Sequence, residues 1–433
     1  MSGRGSRQGA GKRDAMRMKK YLAAVLIPVL CAALFVTGCG SSAAGAGTAA
    51  KAASHTKAEE YLWEYFGIEP GREASLQNVN GMIAALGGEQ IEAETLTDGA
   101  VIKAGLKIAG LEELALTYIS DEAPDKAAKV LEKAGIKTEE EYAPYTACAV
   151  DLDLYSKEEA LDAEEFFYQC AEIAGRGRHY LGRVSDDDLM EQMSSMMNSM
   201  VIFDNEELSK LGTELVMDGV VTGYGLKYAG YDANFLDSYS LRYSHSDYRH
   251  AVQLIGLLRS EGMDGYVQIE PKVSVYEYLP EWGTPDIPSP TYAVEKQENG
   301  RYLCSCVEYD LMIEFDTAEE KERFHGVIEA YAKKYDDRVD KDGNVTARLL
   351  KESWWQPLYS SGTPMDDPEF TEMIDNVVYD RTGRYSIHSF SLPERASDFA
   401  DRAAKIAPDL SMSPFKIYVN PAFKRYITGE DHQ

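Results

Sequence analysis

No run of apolar residues in this chain of 433 residues is long enough for a comfortable membrane span. The charge-free stretch from Leu22 to Val36 has the length of a signal-peptide apolar region instead. Sequence signatures of common catalysts are missing as well. There is no Ser-His-Asp signature, no Gly-rich phosphate loop and no zinc-protease helix. Basic residues are outnumbered by acidic ones after Lys20, so a polyanion meets a surface of its own sign. Seven of them (Arg4, Arg7, Lys12, Arg13, Arg17, Lys19 and Lys20) precede the apolar stretch with only Asp14 against them, leaving 37 bases, 71 acids and a formal charge of −34 for the remainder. Such a surface repels nucleic acid and anionic headgroups, which excludes DNA and RNA as partners. It keeps an exported protein soluble, and collecting cations is the alternative use.

What is present is a large apolar fraction, 44%, enough to bury a sizeable core in two or three domains. Tyrosine outnumbers phenylalanine 28 to 13, so many rings carry a polar tip suited to half-wet surfaces, for packing or for sugar or peptide binding.

The basic cluster, the apolar stretch and Val36-Thr37-Gly38-Cys39 follow one another in a fixed order, with Gly40-Ser41-Ser42 behind. Small residues before a cysteine let an extended chain fit a peptidase, and the thiol is the nucleophile that accepts a lipid. This segment resembles the lipobox of bacterial lipoproteins. The resemblance implies diacylglyceryl transfer to Cys39, cleavage before it, and a protein anchored through that lipid on the extracytoplasmic face of the cell membrane. Met16-Arg17-Met18-Lys19-Lys20 would make a more ordinary start to such a signal. Residues 40–57 are rich in Gly, Ala, Ser and Thr and read as a flexible tether. With Cys31 in the leader and Cys39 lipidated, Cys148, Cys170, Cys304 and Cys306 remain; their pairing is open and their spacing fits no zinc pattern. Cys304 and Cys306 fall on one face of a strand, as a redox or metal pair or as small buried residues.

The expected fold class is α+β: a mainly helical module over 58–185, then a mixed α+β domain over 186–433. The first part contains an echo. Leu96-Thr97-Asp98 begins a stretch ending in Ile108-Ala109-Gly110, and Leu161-Asp162-Ala163 begins one ending in Ile173-Ala174-Gly175. Each has a polar cap, helical apolar spacing and a closing glycine. With Tyr142-Ala143-Pro144-Tyr145 before an apolar helix, this pattern is similar to the S-layer homology modules of bacterial surface proteins. Those modules carry an Arg and an acid after the Leu-Thr, where this chain has Asp98-Gly99. The resemblance implies a cell-envelope role, with cell-wall glycan or peptide as a partner.

Further on, Met190, Met193, Met196, Met197 and Met200 recur at helical steps as a pliable packing face. Residues 251–258 form a strong helix that Ser246 or Asp247 caps and Gly262 closes. Strands are expected over Tyr266–Leu279, Tyr302–Phe315, Tyr385–Leu392 and Phe415–Val419. Helices are expected over Leu208–Val216, Glu369–Val378 and Ala396–Ile406, and after the capping box Thr317-Ala318-Glu319-Glu320. Asp340-Lys341-Asp342-Gly343-Asn344 fails as a calcium loop, because its glycine register puts Arg338 and Leu349 at ligand positions.

Chemistry is most suggested around His245, Asp247 and His250. Two imidazoles and a carboxylate at a helix start are a candidate metal site, a polar Tyr-lined ligand patch, or a helix cap with two surface histidines. The metal and any cofactor stay unspecified. The stretch Asp247–Gly262, with Leu257-Leu258-Arg259 before a strand, is similar to the nucleophile helix of transglutaminase-like domains, but Asp247 stands where their cysteine would be. Glu270 and Lys272 line a groove or alternate on a solvent face, and at most one of Trp354 and Trp355 is an exposed sugar platform. The resulting expectation is a non-catalytic envelope binding or scaffolding lipoprotein. A metal-dependent or degenerate transglutaminase-like hydrolase is the alternative.

Overall fold

The computed structural model describes residues 56–71, 75–279, 283, 288–331, 358–428 and 430. The leader, Cys39, the tether up to residue 55, the Asp340–Asn344 loop and Trp354-Trp355 lie outside the described residues. No helix among the described residues is long and apolar enough to cross a membrane. The chain divides into two compact units between Arg178 and His179; the sequence suggested a division after 185.

The first unit is built from α1 (Lys57–Phe66), α2 (Leu76–Ala85), α3 (Asp98–Ile108), α4 (Glu112–Leu116), α5 (Lys126–Ala134), α6 (Ala143–Asp151) and α7 (Ala163–Ile173). The two echoed stretches become α3 and α7, eleven residues each. Thr97 caps α3 by accepting from the Ala100 N–H, and Asp162 caps α7 by accepting from Glu164 and Glu165. Gly110 and Gly175 follow in the left-handed region, at φ 75° and 66°. The two helices meet at Gly105, where an added Cβ would stand 2.3 Å from Phe166 Cε1 and 2.9 Å from Cys170 Sγ.

The second unit corrects the expected α+β fold. Its strands are β1 (Gly182–Arg183), β2 (Gly223–Tyr228), β3 (Ser240–His245), β4 (Gly265–Tyr278), β5 (Tyr292–Lys296), β6 (Tyr302–Phe315), β7 (Leu358–Ser361), β8 (Thr371–Tyr379), β9 (Tyr385–Ser391), β10 (Ser411–Met412) and β11 (Phe415–Val419). Eight of them close on themselves, all antiparallel, in the order β4-β2-β9-β8-β11-β7-β3-β6 and back to β4. Strands β1, β5 and β10 attach to β4, β6 and β8. The unit is therefore an eight-stranded barrel with helices around it, a β-rich fold. One expected helix, Glu369–Val378, is strand β8.

The helices of this unit are α8 (Leu189–Asn198), α9 (Glu206–Met217), α10 (Tyr248–Ser260), α11 (Ala318–Tyr331), α12 (Ala396–Ile406) and α13 (Pro421–Thr428). They place the two largest apolar clusters outside the barrel. Outward-facing Leu241, Val267, Ile269, Leu311 and Ile313 pack under α8, α10 and α11 through Met193, Leu254, Leu258, Phe324 and Ile328. Outward-facing Leu226, Val273, Val275 and Ile387 pack under α9 and α12 through Leu211, Leu215 and Phe399. Met193 is buried and Met190, Met196 and Met197 lean on the same core, so the methionine face is used for packing.

Candidate functional site

Side chains alternate along a strand, so if one parity faces the helices the other must fill the barrel. Directly paired residues of antiparallel neighbours share a face. The register pairs Lys227 with Lys272 and with Ser386, Glu270 with Asp310, Asp310 with Ser244, and Arg242 with Ser360. Every one of these residues therefore points inward. The interior carries a charged layer where a β-barrel of this size usually holds apolar side chains.

Asp310 is its centre and is 1% exposed. It accepts from Lys272 Nζ at 2.6 Å and from Ser244 Oγ at 2.6 Å, contacts Lys227 Nζ, and has Arg242 Nε at 3.7 Å. Burial alone would push the Asp310 carboxyl up, but Lys227, Lys272 and Arg242 outweigh it and hold it well below the usual carboxylate range. For Lys272, burial lowers the ammonium's pKa and the adjacent Asp310 and Glu308 raise it, with a net upward shift. Glu270 accepts from the Ala233 N–H at 2.8 Å and has Lys227 at 3.6 Å; burial still pushes its carboxyl up. On the opposite wall His388 bridges Asp375 and Ser386, with Nδ1 at 2.8 Å from Asp375 Oδ2 and Nε2 at 3.0 Å from Ser386 Oγ. Burial depresses the His388 pKa despite Asp375.

Two cavities flank this layer. The larger, about 240 Å³, is lined by Lys272, Ser274 and Glu308 and by the aromatic residues Tyr276, Phe390 and, from α13, Phe423. Glu308 accepts from Ser274 Oγ at 2.5 Å. The smaller, about 50 Å³, includes Arg242, Glu270, Tyr379, Ser386 and Phe415 in its lining. Lys227 and His388 line both.

No family model, curated protein or solved structure matches this chain. The geometry alone therefore carries the functional argument.

Of the residues singled out in the sequence, His245 and His250 do come together, with ring centroids 4.0 Å apart. Asp247 does not join them. Its carboxylate caps α10, accepting from the Arg249 N–H at 2.9 Å, and forms an ion pair with the Arg249 side chain. The Asp247 N–H donates to His245 Nδ1 at 2.7 Å. Burial, then the neighbouring His250, pushes the His245 pKa down to about 4, and burial also lowers that of His250. Among the described residues no group of three or more His, Cys, Asp or Glu side chains is placed to hold a metal ion. His245 instead lines the larger cavity. Arg259, central to the transglutaminase-like resemblance, donates to the carbonyls of Val184 and Asp186 at 2.5 Å each, a structural use. Cys148, Cys170, Cys304 and Cys306 are all buried free thiols, with Cys304 and Cys306 on one strand face as expected.

Sequence reasoning reached Glu270 and Lys272 but left them between groove and solvent face. It missed Lys227, Arg242, Asp310, Asp375, Ser386 and His388. The available signal was parity: Glu308 and Asp310 alternate with Val307, Tyr309 and Leu311 in one strand, the pattern of a wall polar on one side and apolar on the other.

Proposed function

We propose that this protein is a bacterial lipoprotein, tethered through Cys39 on the extracytoplasmic face of the membrane, whose barrel binds a small envelope-derived ligand such as a wall peptide or glycan fragment. The observation that carries the binding reading is the larger cavity, whose lining combines buried charges with tyrosine and phenylalanine rings. Ligand sites combine these features: apolar walls supply affinity, and a few fixed polar groups set orientation. The anchor rests on the order of basic cluster, apolar stretch and Gly38-Cys39.

Gly225 offers a direct test. It faces the cavity, and a Cβ there meets nothing nearer than Lys272 Cδ at 3.4 Å. Gly225→Leu should fill the space without touching backbone. Calorimetric titration of the purified protein with soluble wall fragments should show saturable binding that this variant abolishes while its unfolding midpoint is kept. Equal binding by the variant would remove the cavity as the site. Cys39→Ser should accumulate as an unprocessed precursor or leave the membrane fraction; normal processing and retention would refute the lipid anchor.

A further inference from the structure

The smaller cavity suggests chemistry as well as binding. Ser386 and His388 are two apart on β9, so both point inward, and Asp375 faces His388 from β8. The three form one chain: Ser386 Oγ to His388 Nε2 at 3.0 Å, and His388 Nδ1 to Asp375 Oδ2 at 2.8 Å. Facing a carboxylate oxygen, Nδ1 is the donor, which leaves the Nε2 lone pair for the serine hydroxyl. That is the arrangement of nucleophile, base and orienting carboxylate that activates a serine, recognised by geometry and role and independent of sequence order. Two further observations set it apart from an ordinary buried hydrogen-bond chain. Ser386 is paired in register with Lys227, which places an ammonium-bearing side chain on the same face at the neighbouring position. Ser386, His388, Lys227 and Arg242 also line one cavity together with Asp232 and Glu270, so a small carbonyl compound entering it meets a hydroxyl, a base and two cations beside two carboxylates.

We propose that Ser386 is the nucleophile of an acyl-transfer site whose substrates are esters with short acyl groups. The Ser386 Oγ–C bond forms as the Oγ proton passes to His388 Nε2 and the carbonyl π pair becomes an oxyanion facing Lys227. Collapse expels the alcohol, which takes the proton back from His388. Water then repeats the two proton transfers and releases the acid, restoring Ser386. The cavity, about 50 Å³, limits the acyl group to acetyl or similar size. Burial lowers the His388 pKa and so favours the neutral imidazole that a general base needs.

The test uses the full mature protein, with p-nitrophenyl acetate and a small fluorophosphonate as probes. The expected result is nitrophenol release above buffer and one phosphonyl adduct per chain, mapped by peptide mass spectrometry to Ser386. Ser386→Ala should lose both with its unfolding midpoint unchanged. His388→Gln should slow labelling about a hundredfold or more. Ser386→Cys should gain one chloroacetamide adduct, at residue 386, beyond any that the four free thiols give in the parent protein. Adducts elsewhere, or no adduct in a protein that unfolds cooperatively, would overturn the proposal and leave the chain as internal hydrogen bonding. Labelling of Ser386 needs no wall fragment in the larger cavity, so a protein that labels without binding such fragments, or binds them without labelling, separates this proposal from the binding reading.

Discussion

Replacing Asp310 by Asn tests the charged layer most directly. Asparagine keeps the shape and one carbonyl acceptor but removes the charge facing Lys227, Lys272 and Arg242. Asp310 is 1% exposed, so water does not take its place. Breaking a buried pair by removing one partner costs about 3–5 kcal/mol. Against the roughly 5–15 kcal/mol that holds a typical domain, this is a large fraction. The loss should also have a characteristic pH dependence. In the native protein the Lys272 pKa is raised, so the lysine contributes stability below its unfolded value of about 10.4 and loses it as pH rises through the folded value. In Asp310→Asn burial dominates, the folded pKa falls below the unfolded one, and the penalty is relieved as pH rises. The stability gap between the two proteins should therefore narrow between pH 7 and pH 10, by about 1.4 kcal/mol for each unit of depressed lysine pKa. Urea unfolding of both proteins at several pH values provides the measurement. A gap under about 1 kcal/mol at pH 7, or one that stays constant with pH, refutes the idea that Asp310 holds these cations in a dry interior.

His245→Asn should keep the acceptor for the Asp247 N–H while removing a group whose pKa sits at about 4. The unfolded imidazole takes a proton near pH 6.5 and the folded one resists until about 4, so the native protein should lose up to about 3 kcal/mol relative to this variant across that window; parallel urea midpoints from pH 7 to 4 would contradict it. Gly105→Ala gains about 1 kcal/mol of helix propensity but drives a Cβ to 2.3 Å from Phe166. Overpacking of about 1–3 kcal/mol outweighs that gain, so calorimetry should show a lower midpoint for the helical unit, and a higher one would mean α3 and α7 part freely.

Helix-forming stretches were legible wherever local chemistry dictated them. Thr97, Asp162 and Asp247 cap where a polar residue precedes helical spacing, and Gly110, Gly175 and Gly262 terminate in the left-handed conformation. The barrel was not legible, because closure depends on pairings such as β2 with β9 that sequence-local patterns do not encode. Strand β8 shows why one element was inverted. Phe370, Met373, Ile374, Val377 and Val378 recur at helical steps, yet they fill both faces of a strand, with Met373 and Val378 in separate cores. The charged layer was hidden for a related reason. Lysine and glutamate alternating with valine and tyrosine read as a wet face in any single strand, and only ring closure turns that face inward.

The consequence is a division of labour between the two faces of the barrel wall. Leu226, Val267, Ile269, Leu311 and Ile387 bind the helices from outside, so most of the hydrophobic stabilisation does not depend on what fills the charged part of the interior. The interior contributes through Asp310 and its three cations and through the apolar cluster of Met373, Ile417, Val419 and Phe423, while small inward residues such as Gly225 and Ser386 carry little packing. Gly225 leaves space in β2, and Ser386 is a small residue at the start of β9. Substitutions there should alter binding or reactivity at little cost in stability, whereas Asp310→Asn should cost about 3–5 kcal/mol. That contrast follows from a polar interior wrapped by an external core; a conventional apolar barrel core would make Gly225→Leu at least as damaging as Asp310→Asn.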